Sequence, residues 1–201
     1  QAVTVEQGAT IRADALNTGR GGTVVVWSDG QTVFNGTATA RGGSQSGNGG
    51  LVETSGTLLS VGSAASVSTI APNGTTGTWL LDPASINIVS GGADGLGCVS
   101  ATCNISAATV VAGLGSNNVV FTATNDIAVN DAITWATANS LTLSAGTGGS
   151  AGTITVNSAI TATNAGAALY LNAGSSGSPG FGNGTVNLNA LLSVAGGVNG
   201  G

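Results

Sequence analysis

Eight carboxylates, two thiols, no histidine and no lysine limit the chemistry this chain can attempt. Without histidine, Ser-His-Asp and Cys-His catalysis and imidazole-held metals are excluded. Without lysine, Schiff-base and P-loop mechanisms go too. What remains is carboxylate chemistry on polysaccharides, with paired acids for hydrolysis or calcium and an arginine base for elimination. The acids are Glu6, Asp14, Asp29, Glu53, Asp82, Asp94, Asp126 and Asp131, and they are scattered singly. Asp126 and Asp131 lie near each other, both after an asparagine, a context that suits turns. Asp29, Glu53 and Asp82 each follow an apolar strand start, so stacked strands could gather them into a catalytic or cation-binding group.

Cys98 and Cys103 are the only cysteines. Two thiols without histidine make an incomplete zinc site. A local disulfide is the better reading and implies an oxidising, extracellular setting; two reduced structural cysteines are the alternative. Trp27, Trp79, Trp135 and Tyr170 could form a sugar-stacking row. Trp27 and Trp79 sit inside apolar runs, which favours packing, whereas Trp135 in T-W-A-T is more open. Trp135 and Tyr170 are therefore the candidate glycan contacts. Three T-A-T triplets begin at Thr37, Thr122 and Thr161; they suit an ice-binding ladder, or simply the outward faces of strands. Sequons at Asn35, Asn73, Asn104 and Asn183 permit N-glycosylation.

The composition narrows the partners. A net charge of −5 with three arginines (Arg12, Arg20, Arg41) lacks the basic footprint of a nucleic-acid binder. No run of about 18 apolar residues is present, so no transmembrane helix is expected. Thirty-five glycines, 5% charged residues and 3% aromatics, alongside 41% hydrophobic residues, fit neither a disordered chain nor an ordinary globular enzyme. The apolar residues are mostly Val, Ile, Leu and Ala, which suit a narrow core of stacked short strands.

These strands recur. Apolar starts fall at Thr23, Leu51, Thr78, Asn118, Ser140 and Ala168, at intervals of 28, 27, 40, 22 and 28 residues. Within them apolar residues alternate with Thr, Ser and Asn, as in Thr153-Ile154-Thr155-Val156, and no sustained helical stripe appears. Glycine pairs (Gly21-Gly22, Gly42-Gly43, Gly49-Gly50, Gly148-Gly149) mark turns or close backbone approaches, and Gly56 reads as a turn between two short strands. The spacing predicts an all-β chain: one right-handed parallel β-helix domain over 1–201, with six to seven laps along roughly 30 to 35 Å. A β-sandwich is the structural competitor. The long interval predicts a loop excursion over 90–117, pinned by the cysteine pair.

Gly49 to Gly56 (G-G-L-V-E-T-S-G) followed by Gly77 to Pro83 (G-T-W-L-L-D-P) resembles the paired signature of filamentous-haemagglutinin-type exoproteins of Gram-negative two-partner secretion. Gly21 to Gly30 and Phe34 to Gly43 are similar to the segment that precedes it. The signature accounts for Glu53 and Asp82 without catalysis. The resemblance implies a secreted or cell-surface fragment of a longer rod, without enzymatic activity or cofactor, serving as the shaft of an adhesin. Its expected partners are a glycan or protein receptor on a cell surface, further copies of itself, and an outer-membrane secretion partner for the full-length protein. No nucleic acid and no membrane insertion are expected. A filament subunit stacking head to tail is the first alternative, and a polysaccharide-active enzyme on the same fold the second.

Overall fold

Period-two alternation of apolar and small polar residues makes every strand here two-faced, and one face must find a core. The chain solves this by coiling. In the computed structural model, which describes residues 1–91, 97–99, 101–149, 151–174, 183–195 and 198–200, parallel sheets stack as a β-solenoid of about six turns. A partial lap opens it with β1 (Ala2–Val5) and β2 (Thr10–Arg12). Two laps follow in which one long strand bends across two faces, β3 (Thr23–Phe34) then β4 (Thr37–Thr39), and β5 (Leu51–Val61) then β6 (Ser66–Ser68). The fourth lap has β7 (Thr78–Asp82), β8 (Ser85–Val89), β9 (Cys98–Val99), β10 (Thr102–Ser106) and α1 (Ala107–Leu114). Three regular laps complete the coil: β11 (Asn118–Ala123), β12 (Ile127–Val129) and β13 (Ile133–Trp135); β14 (Ser140–Ala145), β15 (Thr153–Val156) and β16 (Ile160–Ala162); β17 (Ala168–Ala173), β18 (Thr185–Leu188) and β19 (Leu192–Val194). β20 (Val198–Gly200) pairs with β17.

The coil has three faces. The first runs from the front half of β3 through β5, β7, β11, β14 and β17. Its register pairs Thr23 with Leu51, Leu51 with Thr78, Thr78 with Asn118, and Ser140 with Ala168, so the sequence intervals are lap lengths. The second face runs through β1 and the back halves of β3 and β5, then β8, β12, β15 and β18. The third holds β2, β4 and β6, then β13, β16 and β19. Gly56 is no turn: it lies within β5, which carries the chain from the first face to the second.

Inward residues form one core. Leu59, Leu81, Ile86, Ile88, Phe121, Ile127, Ile133, Leu141 and Leu143 are all fully buried, stacked lap on lap. At the corners glycine is required by proximity. A Cβ on Gly50 would stand 2.0 Å from the Gly22 carbonyl oxygen, and one on Gly77 would stand 2.1 Å from that of Gly50.

The 90–117 segment leaves the regular lap, but its described part is not loop. The chain returns along the second face, where β9 and β10 form a short antiparallel pair and β10 joins β8 in parallel. β10 thus wedges between β8 and the back half of β5. There Cys98 and Cys103 are disulfide-bonded, and the Leu59 N–H donates to both sulfurs at 3.1 Å. A buried amide that would otherwise lack a strand partner is thereby satisfied. α1 then stands in for a strand on the third face, between β6 and β13. Ser106 caps it by accepting from the Thr109 N–H at 3.0 Å, and Ala107, Val110, Gly113 and Leu114 face the core. Eight residues are too few to leave a sustained helical stripe in the sequence.

Candidate functional site

Outward side chains on the first face fall into two rows because residues in register stack directly above one another. One row runs Trp27, Ser55, Asp82. Asp82 lies one residue beyond the Leu81–Phe121 pair and so beside Thr122, from which the row continues to Ser144 and Asn172. The other runs Val25, Glu53, Leu80, Val120, Thr142, Tyr170. Where the first row meets the corner leading to the second face, a cleft of about 200 Å³ opens, lined by Trp27, Gly56, Thr57, Asp82, Pro83 and Thr124 among others.

Trp27 is 54% exposed, so it is not the packing residue its apolar run suggested. Val24 and Val26 point inward and are buried, which turns Val25 and Trp27 outward. The reverse holds for Trp135. Ile133-Thr134-Trp135 alternates in, out, in; Trp135 is 4% exposed and its Nε1 donates to the Asn139 carbonyl at 2.9 Å. A buried indole cannot meet a glycan, so the expected role of Trp135 as a glycan contact is corrected. Trp79 packs inside as expected, its Nε1 donating to Thr54 Oγ1 at 3.1 Å. Tyr170 is 39% exposed on the same face as Trp27, but five strands away, roughly 24 Å at sheet spacing. The two rings do not share one site.

Burial raises the Asp82 carboxyl above its ordinary value, and the negative charge of Glu53 pushes the same way. The neighbouring Thr122 hydroxyl opposes the shift, yet Thr122 Oγ1 is itself buried without a hydrogen-bond partner of good geometry. Glu53 accepts from Ser55 Oγ at 2.5 Å. Of the three acids that follow strand starts, stacking therefore brings Glu53 and Asp82 within electrostatic reach. Asp29 lies apart, in the irregular stretch of β3 between Ser28 and Gln31. Among the described residues no three metal-ligating side chains converge. Asp126 acts as a turn residue, its Oδ1 accepting from the Thr153 N–H at 2.8 Å one lap on. Asp14 does likewise for the Arg41 N–H and Thr39 Oγ1. Asp94 lies outside the described residues.

The second face carries a feature that composition did not announce. Asn189 donates to Asn157, Asn157 to Asn130, Asn130 to Asn87 and Asn87 to Asn104, at 2.8, 2.7, 2.6 and 2.9 Å. Asn104 Nδ2 ends the series on the Gly97 carbonyl. The available signal was an apolar residue followed by Asn at three strand exits, Val129-Asn130, Val156-Asn157 and Leu188-Asn189. Inside, Asn117 is fully buried: its Oδ1 accepts from the Thr69 N–H and Oγ1, and its Nδ2 donates to Val67 and Gly113 carbonyls, tying β6 to α1.

The sequons differ in access. Asn73 and Asn183 are exposed, Asn35 is half-buried, and Asn104 is committed to the amide ladder. The T-A-T triplets form no continuous ladder: Thr37 on β4 and Thr161 on β16 lie on the third face but with α1 and β13 between them, and Thr122 lies on β11 of the first face. No helix among the described residues is long and apolar enough to cross a membrane. No family model and no curated protein matches the chain.

Proposed function

We propose that this chain is a shaft segment of a secreted surface adhesin resembling the filamentous-haemagglutinin exoproteins, a rigid extracellular rod that presents contacts to host or neighbouring cells. The observation that carries this reading is the placement of the paired signature. Its two parts are successive rungs of one ladder, in register from Leu51 with Thr78 to Ser55 with Asp82. The motif is therefore a unit of the coil, and its second rung ends where Pro83 has no N–H to continue a ladder. The disulfide accords with maturation in an oxidising compartment. Export of the full-length protein through an outer-membrane partner needs no nucleotide, because each emerging lap can add to an already formed strand edge.

Electron microscopy of the purified chain with a cell-adherence assay tests the reading. Short rods that decorate cells are expected. Rods that adhere to no cell surface would remove the adhesive role.

A further inference from the structure

The hollows of this molecule differ in the side chains that line them. One of about 490 Å³ on the second face has Asn87 and Asn130 in its wall, and their amides bond each other. Another of about 340 Å³ lies beside α1 and is lined partly by Val67, Trp79 and Gly113; the Trp79 N–H is satisfied by Thr54. The cleft at Trp27 is smaller; it joins an exposed indole to the Asp82 carboxyl in its wall, beside the Thr57 hydroxyl, which donates to the Asp29 carbonyl.

We propose that the cleft formed by Trp27, Gly56, Thr57, Asp82 and Thr124 is a binding site for a neutral pyranose, the terminal sugar of a cell-surface glycan. This deepens the adhesive reading above by naming the residues and the ligand class. The C–H face of a pyranose needs a flat, exposed aromatic surface, and Trp27 offers its ring where neighbouring outward positions are small, Ser55 and Gly56. The sugar hydroxyls need a few fixed polar groups at the platform's edge, and Asp82 stands two rungs along the same row. Charge selects the class. Glu53 and Asp82 give this end of the face negative potential, and none of the three arginines lines the cleft. A carboxylate or sulfate sugar would be repelled. Concavity fits one ring: about 200 Å³ is below the usual volume of a drug-sized pocket.

Isothermal titration calorimetry reports binding whether or not position 27 carries an indole, which matters because Trp27 is the solvent-facing tryptophan while Trp79 and Trp135 are buried. The chain is titrated with methyl β-galactoside, methyl β-glucoside and sialyllactose well into the millimolar range, alongside Trp27→Ala, Trp27→Phe and Asp82→Asn. A saturable change with at least one neutral glycoside is expected. Trp27→Ala should weaken it by about tenfold or more and Trp27→Phe should restore part of it. Asp82→Asn should weaken it by about fivefold. Trp27 is exposed, so circular dichroism should show its variants folded. No saturable response to either neutral glycoside, a response unchanged in Trp27→Ala, or tighter binding of sialyllactose would each overturn the proposal. Adherence separates it from the broader reading. Cells bound equally by wild type and Trp27→Ala would overturn the cleft and leave the rod, whereas sugar binding by a chain that adheres to no cell would support the cleft and remove the adhesive rod.

Discussion

Two faces of one coil handle polar side chains in opposite ways. On the second face five asparagines pass a hydrogen bond from lap to lap, so that each amide between the ends both donates and accepts along the axis. On the first face the polar row from Ser55 to Thr122 holds a carboxyl raised by burial and a hydroxyl with no hydrogen bond of good geometry, beside a tryptophan turned to solvent. A face that satisfies its own groups contributes stability to the coil and offers a ligand little. A face that leaves groups unsatisfied gives up some stability and gains the means to bind.

The largest expected effects ignore this contrast, because both faces rest on one core. Leu81→Ala beneath the first face and Ile88→Ala beneath the second should each cost about 2 to 5 kcal/mol in denaturant unfolding. A much smaller cost for one of them would mean that the faces do not share a core.

Removing the bridge with Cys98→Ser and Cys103→Ser should cost about 2 kcal/mol for so short a loop. Some further loss is expected because the Leu59 N–H is left unpaired. Hydrogen exchange should quicken at Leu59 before it does at the regular ladders of β11 and β14, and uniform quickening would contradict the seam described above.

A direct comparison of faces comes next. Asn130→Ala breaks two solvent-exposed links of the amide ladder and should cost about 0.5 to 1.5 kcal/mol. Thr122→Val removes a buried hydroxyl with no hydrogen bond of good geometry, whose effect is to oppose the rise of the Asp82 carboxyl, and should be close to neutral by thermal unfolding. Equal losses from the two variants would erase the distinction.

The smallest effect depends on pH. Because the folded Asp82 carboxyl titrates above its unfolded value near 3.8, the folded state holds that proton more tightly. Its contribution is fully present below the unfolded value and is lost as pH rises through the folded one. Asp82→Asn should therefore lie closer to wild type in melting temperature at pH 4 than at pH 7, where the variant should be the more stable. A difference independent of pH would place the shift elsewhere.

The coil was legible in the sequence to an unusual depth. Strand starts at Thr23, Leu51, Thr78, Asn118, Ser140 and Ala168 are partners in the ladders, because a parallel coil repeats its register at the lap length. The aromatic assignments were harder. In Thr23 to Trp27 consecutive valines hide the alternation, so apolar character said nothing of which side Trp27 faces, although counting inward from Val24 places it outside. For Trp135 the alternation was visible in Ile133-Thr134-Trp135, while the polar neighbours suggested openness.

Sequence by itself therefore determined the class of fold, the length of each lap and the cysteine pair, since these rest on local periodicity and on residue type. Tertiary structure alone decided that β10 would slip between β5 and β8, that α1 would replace a strand, and that Asn87 would meet both Asn104 and Asn130, residues 17 and 43 positions away. It also decided that Trp27 and Asp82 would stand two rungs apart on one row. Such meetings depend on how the laps align with one another, and alignment is set by packing between laps, which no single stretch of chain encodes.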